Sequence, residues 1–228
     1  MLGERLERAR FTPGGVADDR ALAVTDAQAG TVLSAKRIPA LLQARAAVRP
    51  GTVAIRLPDE RVFYAEDATV HAALSEWLER PVRLARTPNG TRPVIENEEG
   101  TFLGRPGGFF DSAAVHIVTT STLERLRELS ARGDFDARRF RPNLLVDCDD
   151  DGFAEQAWVG RIVRIGDAEL QITKACRRCA LTTRAQDDLP DEREILRTVA
   201  TKADNITGVY ARVSAPGVMN AGDELHAL

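Results

Sequence analysis

Nowhere does the sequence hold an apolar run near the ~20 residues that a membrane-spanning helix needs. Its start, Met1-Leu2-Gly3-Glu4-Arg5-Leu6-Glu7-Arg8, is charged where a signal peptide would be apolar. A cytoplasmic protein with no membrane partner is expected. Cysteine is scarce: Cys148, Cys176 and Cys179 are the only three, too few for a disulfide framework, and their odd number leaves at least one thiol free. Three thiols also cannot build a four-thiolate iron–sulfur cluster. The histidines, His71, His116 and His226, are scattered without metal-ligand spacing, and there is no G-x-G-x-x-G loop. An excess of charge is missing too. A net charge of -3 gives no footprint for nucleic acid or an anionic membrane, so any basic site must be local.

What is present suits a folded chain. At 228 residues there is room for one large domain or two small ones. Most segments read as short strands between turns: Ala21 to Thr25, Thr52 to Leu57 and Val115 to Thr119. Three helices are expected. One spans Thr122 to Arg132, with Ser121 as N-cap and Glu124 completing a capping box. A second spans Val70 to Glu79, with Val70, Leu74, Trp77 and Leu78 on one stripe. The third runs from Glu192 to about Thr201. Between Pro81 and Pro106, turn formers cluster at Thr87-Pro88-Asn89-Gly90, Asn97-Glu98-Glu99-Gly100 and Pro106-Gly107-Gly108, as in a linker or long surface loop. A domain boundary near residue 90 follows: 1–90, then 91–228. Further on, Arg161 to Ile165, Gly166-Asp167 and Ala168 to Thr173 predict a β-hairpin that delivers the chain to Cys176.

The chemistry concentrates in Lys174-Ala175-Cys176-Arg177-Arg178-Cys179-Ala180-Leu181-Thr182-Thr183. Two arginines between two thiols favour the thiolate, the form that ligates metal or attacks as a nucleophile. The same residues also read as a buried inert cysteine; a redox dithiol lacks the expected βαβ context, and half a zinc site would need two more ligands. Upstream, Arg138-Arg139-Phe140-Arg141-Pro142-Asn143 precedes the apolar Leu144-Leu145-Val146, as if a buried strand delivered basic side chains to a fixed spot. A solvated turn before a core strand would read the same way. Lys36-Arg37 is a second basic pair at a strand end.

In order, these stretches resemble the MOSC domain family. The resemblance runs through Phe140-Arg141-Pro142-Asn143, then Phe153, Glu155 and Trp158-Val159-Gly160, then Ile165-Gly166-Asp167. It continues through Arg178-Cys179 with Thr182-Thr183, Gly208-Val209-Tyr210, Pro216-Gly217 and Gly222-Asp223. The first ninety residues resemble the N-terminal β-barrel domain of the amidoxime-reducing component group, through Gly15-Val16, Asp19-Arg20, Ser34-Ala35-Lys36-Arg37 and Leu57-Pro58-Asp59. Asp111, Val115-His116-Ile117 and Thr122-Leu123 fit the segment between the two.

The resemblance implies an α+β fold, mostly β, with a MOSC β-barrel core, peripheral helices and a small β-rich N-terminal domain. It implies a molybdenum–pterin cofactor whose molybdenum is ligated by Cys179, the catalytic residue. Arg141 and Asn143 would bind the pterin and its phosphate. Lys36 takes the place of a cofactor-binding arginine, and Arg37, Asp111, Arg178 and Thr182 are carried over as further cofactor-binding positions. Cys176 receives no role. The family's opening strand, ending Tyr-Pro-Val-Lys-Ser, has no counterpart before Met1, so either the start lies further upstream or a strand and two cofactor contacts are missing. The implied reaction is reduction of an N-hydroxylated or N-oxide small molecule, with electrons from an external reductase or ferredoxin-type protein. Two alternatives remain: a sulfur carrier with a persulfide on Cys179, and a cofactor-binding module without turnover.

Overall fold

The computed structural model describes residues 1–87, 94–97, 100–103, 108–110, 112–130 and 132–228. Strands β1 (Arg8–Thr12), β2 (Gly15–Val16), β3 (Leu22–Asp26), β4 (Val32–Leu33), β5 (Arg45–Arg49), β6 (Thr52–Arg56) and β7 (Val62–Tyr64) precede helix α1 (Val70–Trp77). Strands β8 (Val82–Arg86), β9 (Val94–Asn97), β10 (Gly100–Leu103) and β11 (Val115–Thr119) lead into helices α2 (Thr120–Leu129) and α3 (Ala137–Phe140). Then follow β12 (Leu144–Val146), β13 (Ile162–Ile165), β14 (Ala168–Arg177), α4 (Arg193–Lys202), β15 (Ile206–Ala215), β16 (Gly217–Asn220) and β17 (Leu225–Ala227). This is the expected α+β class, dominated by strands. Two compact units are interleaved along the sequence: residues 1–5, 18–112 and 185–189 form the first, and 6–17, 113–184 and 190–228 the second. The sequence reading has one boundary near residue 90.

In the first unit, a five-stranded sheet of order β10-β9-β4-β3-β8 accompanies a three-stranded sheet β5-β6-β7. Val24, Leu33, Ile55, Leu57 and Val82 bury their side chains with Val70, Ala73 and Leu74 of α1, the inward face that the helical stripe predicts. Within the segment read as a linker, the described residues are largely strand. β8 pairs with β3, β9 with β4, and β10 with β9. The predicted turns at Pro88-Asn89-Gly90, Glu98-Glu99 and Pro106-Gly107 lie outside the described residues.

The second unit is built on a six-stranded sheet of order β12-β11-β15-β14-β13-β17, with a smaller sheet β16-β1-β2. The expected hairpin forms at Gly166, whose φ of 52° suits a residue without a Cβ, and pairs Ile165 with Ala168. One core gathers Val115, Ile117, Val163, Leu170, Ile172 and Val209. A second, with Val118, Leu123, Leu126, Phe135, Phe140, Ile195 and Val199, buries the apolar faces of α2 and α4. Each fully buried side chain of this size contributes about 1.5–3 kcal/mol.

Two local expectations are corrected here. Helix α2 begins earlier than predicted: Thr119, extended at the end of β11, caps it by accepting from the Thr122 amide, while Ser121 is buried inside the first turn. The capping box fails because a strand residue with the right hydroxyl directly precedes the helix. The run Leu144-Leu145-Val146 is not a buried strand. β12 pairs in parallel with β11 at the end of the sheet order, and Leu145 is 49% exposed. As the terminal strand of the sheet, β12 is paired along one backbone edge only.

Candidate functional site around Cys179

β14 runs past the predicted hairpin end and carries Cys176 and Arg177 as strand residues, with register irregularities along its pairing with β15. Cys176 is fully buried, whereas Cys179 is exposed. Cys179 opens a short 3-10 turn, Ala180–Thr183. The buried Thr182 closes that turn from below: its amide and its hydroxyl both donate to the Cys179 carbonyl, at 3.2 and 3.0 Å. Thr182 therefore fixes the backbone of the cysteine.

The arginine-rich segment is positioned by α3 and the residues after it. Asp136 caps α3 through the Arg138 amide at 2.8 Å and also holds the Arg138 guanidinium, at 2.8 and 3.0 Å. Arg139 is buried, donating to the carbonyls of Asp134 at 2.9 Å and Pro190 at 3.0 Å. Two of the three clustered arginines thus serve the fold. Arg141 ends the helix in the left-handed region, at φ 55° and ψ 48°, a conformation that costs a side-chain-bearing residue about 1–2 kcal/mol. Asn143 is clamped to β11: its amide donates to the His116 carbonyl at 2.8 Å, and its Oδ1 accepts from the His116 amide at 3.0 Å.

Arg178 joins the two segments. Its Nη1 donates to Cys176 Sγ at 2.8 Å and its Nη2 to the Phe140 carbonyl at 2.9 Å, and the guanidinium lies 5.5 Å from the centre of the Phe140 ring. Its own amide donates to the Asn205 carbonyl at 3.0 Å. Beside these contacts, Arg178 Nε, Asn205 Oδ1 and Thr207 Oγ1 are buried without a hydrogen-bond partner. Unpaired buried polar atoms are costly, and several on neighbouring residues suit a site that takes in a polar guest.

The tertiary structure thus brings Arg141, Asn143, Arg178, Cys179 and Thr182 into one unit. Lys36 and Arg37 lie in the other unit, just after β4, where the Arg37 amide donates to the Ser34 carbonyl at 3.0 Å. Asp111 lies outside the described residues. Among the described residues, no three or more His, Cys, Asp or Glu side chains converge as metal ligands.

Sequence reasoning missed the support under α2. Glu155 is fully buried, and its Oε2 accepts from Thr119 Oγ1 and Thr122 Oγ1, each at 2.7 Å. Gly208, part of the motif Gly208-Val209-Tyr210, is a second such residue. At φ 80°, a Cβ there would sit 2.4 Å from the Ile117 carbonyl oxygen and 2.5 Å from His116 Nε2. A signal existed in each case: an acid inside an apolar stretch, and a glycine inside a strand.

The family model described as MOSC domain matches residues 104–226, and the one described as MOSC N-terminal beta barrel domain matches residues 1–87. Among curated proteins, Mitochondrial amidoxime-reducing component 1 from Mus musculus is 30% identical over 134 residues. That match covers 53% of this chain and only 38% of the relative. Among solved structures, the YUAD protein from Bacillus subtilis has a TM-score of 0.44 at 18% identity, covering 55% of this chain and 68% of that one. YiiM from Geobacillus stearothermophilus has a TM-score of 0.39 at 19% identity, covering 60% and 71%.

Proposed function

Since this chain belongs to the MOSC family, we propose that its second unit carries a molybdenum–pterin cofactor on the sulfur of Cys179. The loaded protein would reduce N-hydroxylated or N-oxide small molecules. In this reading residues 1–90 are the N-terminal β-rich module and 91–228 the MOSC module. MOSC domains are associated with that cofactor, and the amidoxime-reducing relative motivates the substrate class. The observation that carries the reading is the exposure of Cys179 on a turn pinned by Thr182, beside buried polar atoms that have no partner.

The donor set fits such a group. The exposed thiol of Cys179 would give the metal one protein donor, and its remaining donors would arrive with the pterin. When bound, the cofactor would supply two-electron chemistry, in which an N–O bond breaks, two electrons and two protons are taken up and water leaves. The chain's own residues bind and orient. Cys179 provides the metal ligand, Arg141 offers a guanidinium fork suited to phosphate, and Asn143 holds the segment that presents it. Lys36, Arg37 and Asp111 keep the binding role that the resemblance implies; a lysine gives phosphate a point charge rather than a fork. Thr182 holds the Cys179 backbone. Electrons would come from a separate reductase or ferredoxin-type protein, the donor that the resemblance implies.

The test is elemental analysis for molybdenum with oxidative pterin fluorescence, on protein expressed in a cofactor-producing host. Near-stoichiometric metal is expected in the wild type and none in Cys179→Ala, together with two-electron reduction of an N-hydroxylated amidine by the wild type alone. Turnover by a loaded Cys179→Ala protein would sink the assignment. Metal without turnover would point to a binding module. A reducible one-sulfur mass gain on Cys179 without metal would favour the sulfur-carrier reading, which the exposure of this thiol also suits.

A further inference from the structure

We infer that Cys176 and Arg178 form a brace that sets the spacing between Cys179 and the Arg141–Asn143 segment. In the brace Arg178 acts as a positioning residue. This deepens the cofactor reading, and its loading experiment rests on that reading. The two Nη atoms of Arg178 reach in different directions, one to a sulfur on β14 and one to the last carbonyl of α3, 38 residues away in sequence. Both anchors are buried. Cys176 is 0% exposed and Phe140 is 1% exposed, with the Phe140 ring stacked 6.4 Å from that of Phe135.

The geometry also explains why a brace is needed here. Arg141 follows Phe140 directly and sits in the left-handed region; such a residue persists only where its surroundings over-determine it. A guanidinium donating to the carbonyl just before it satisfies one of the acceptors left open at the end of α3 and fixes the plane of the peptide leading into Arg141. One residue beyond Arg178 is Cys179. The fork therefore joins the two chain segments that the site requires, and it needs an acceptor on the β14 side, which Cys176 supplies. With both Nη groups committed, Arg178 has only Nε left, buried and unpartnered.

The experiment compares wild type, Cys176→Ala, Cys176→Ser, Arg178→Met, Arg178→Lys and Cys176→Ala/Arg178→Met, all as the full chain. Molybdenum per folded protomer is followed through dialysis. Losing a residue that orients a ligand from behind weakens metal retention about 10–100-fold. That loss is expected for Arg178→Met, and Arg178→Lys should share it because a single ammonium cannot span both acceptors. Cys176→Ala should also weaken retention, Cys176→Ser should recover most of it through its hydroxyl oxygen, and the double variant should be no worse than Arg178→Met. Wild-type retention in both Arg178 variants, or additive losses in the double variant, would overturn the brace. Should the wild type hold no molybdenum, the cofactor reading fails by itself, and the brace is decided by hydrogen exchange on the metal-free protein. Arg178→Lys should then speed exchange in residues 138–144 as well as 177–184; acceleration confined to 177–184 refutes it.

Discussion

Asn143 and His116 hold each other at two points, the Asn143 amide on the His116 carbonyl at 2.8 Å and Asn143 Oδ1 on the His116 amide at 3.0 Å. A side chain thereby extends the ladder between β11 and the segment that leads into β12. His116 is 5% exposed, so its amide cannot turn to water if the side chain is lost. Asn143→Ala should destabilise the protein by about 1–3 kcal/mol, lowering the melting temperature by about 2–4 °C per kcal/mol. Asn143→Asp keeps the acceptor and should melt close to the wild type. A differential scanning experiment in which the two variants melt alike would show that the Oδ1 contact contributes nothing.

Glu155 should behave as a structural acid. Its carboxylate holds the hydroxyls of Thr119 and Thr122, and the Thr119 hydroxyl also accepts from the Thr122 amide as the cap of α2. Glu155→Ala leaves two buried hydroxyls without their acceptor and should cost about 3 kcal/mol or more. Glu155→Gln, which retains one acceptor oxygen, should cost less. Denaturant unfolding distinguishes the two, and equal midpoints for Glu155→Ala and wild type would refute the role.

Gly208→Ala combines two penalties, a positive φ and a Cβ 2.4 Å from a backbone oxygen that cannot move without disturbing β11. About 3 kcal/mol of destabilisation is expected from overpacking and backbone strain together. The loss should be seen as a lower denaturant midpoint with an unchanged slope.

Asp26 should give the first unit a pH-dependent stability. Its carboxyl is held below the ordinary carboxylate range, chiefly by the backbone amides of Ala29 and Gln28, with the Arg80 side chain adding to them. A folded pKa below the unfolded one means that the contribution is present above the unfolded value and lost as pH falls through the folded value. Asp26→Ala should therefore lower the melting temperature near neutral pH, and the gap to wild type should close on acidification. A gap that widens on acidification would contradict the sign.

Much of the architecture could be read from local pattern. Alternating apolar residues mark the hairpin at Gly166, and the Val70, Leu74 stripe marks α1, because period and turn chemistry are properties of neighbouring residues. The start of α2 was misplaced because Ser121 and Thr119 both have capping hydroxyls, and only the end of β11 decides between them. The strands between Val82 and Leu103 were hidden by dense turn formers, since a short strand pairing with distant partners needs little propensity of its own.

The sequence by itself determined that the chain is strand-rich, that at least one thiol is free, and that basic residues lie close to the cysteine pair. Tertiary structure alone decided which of these basic residues serve the fold. Arg138 is taken by Asp136, Arg139 by the carbonyls of Asp134 and Pro190, and Arg178 by Cys176 and Phe140. The Pro190 and Phe140 partners lie 51 and 38 residues away. A guanidinium is satisfied by whichever acceptors packing brings within about 3 Å, and the order of residues does not state which those are.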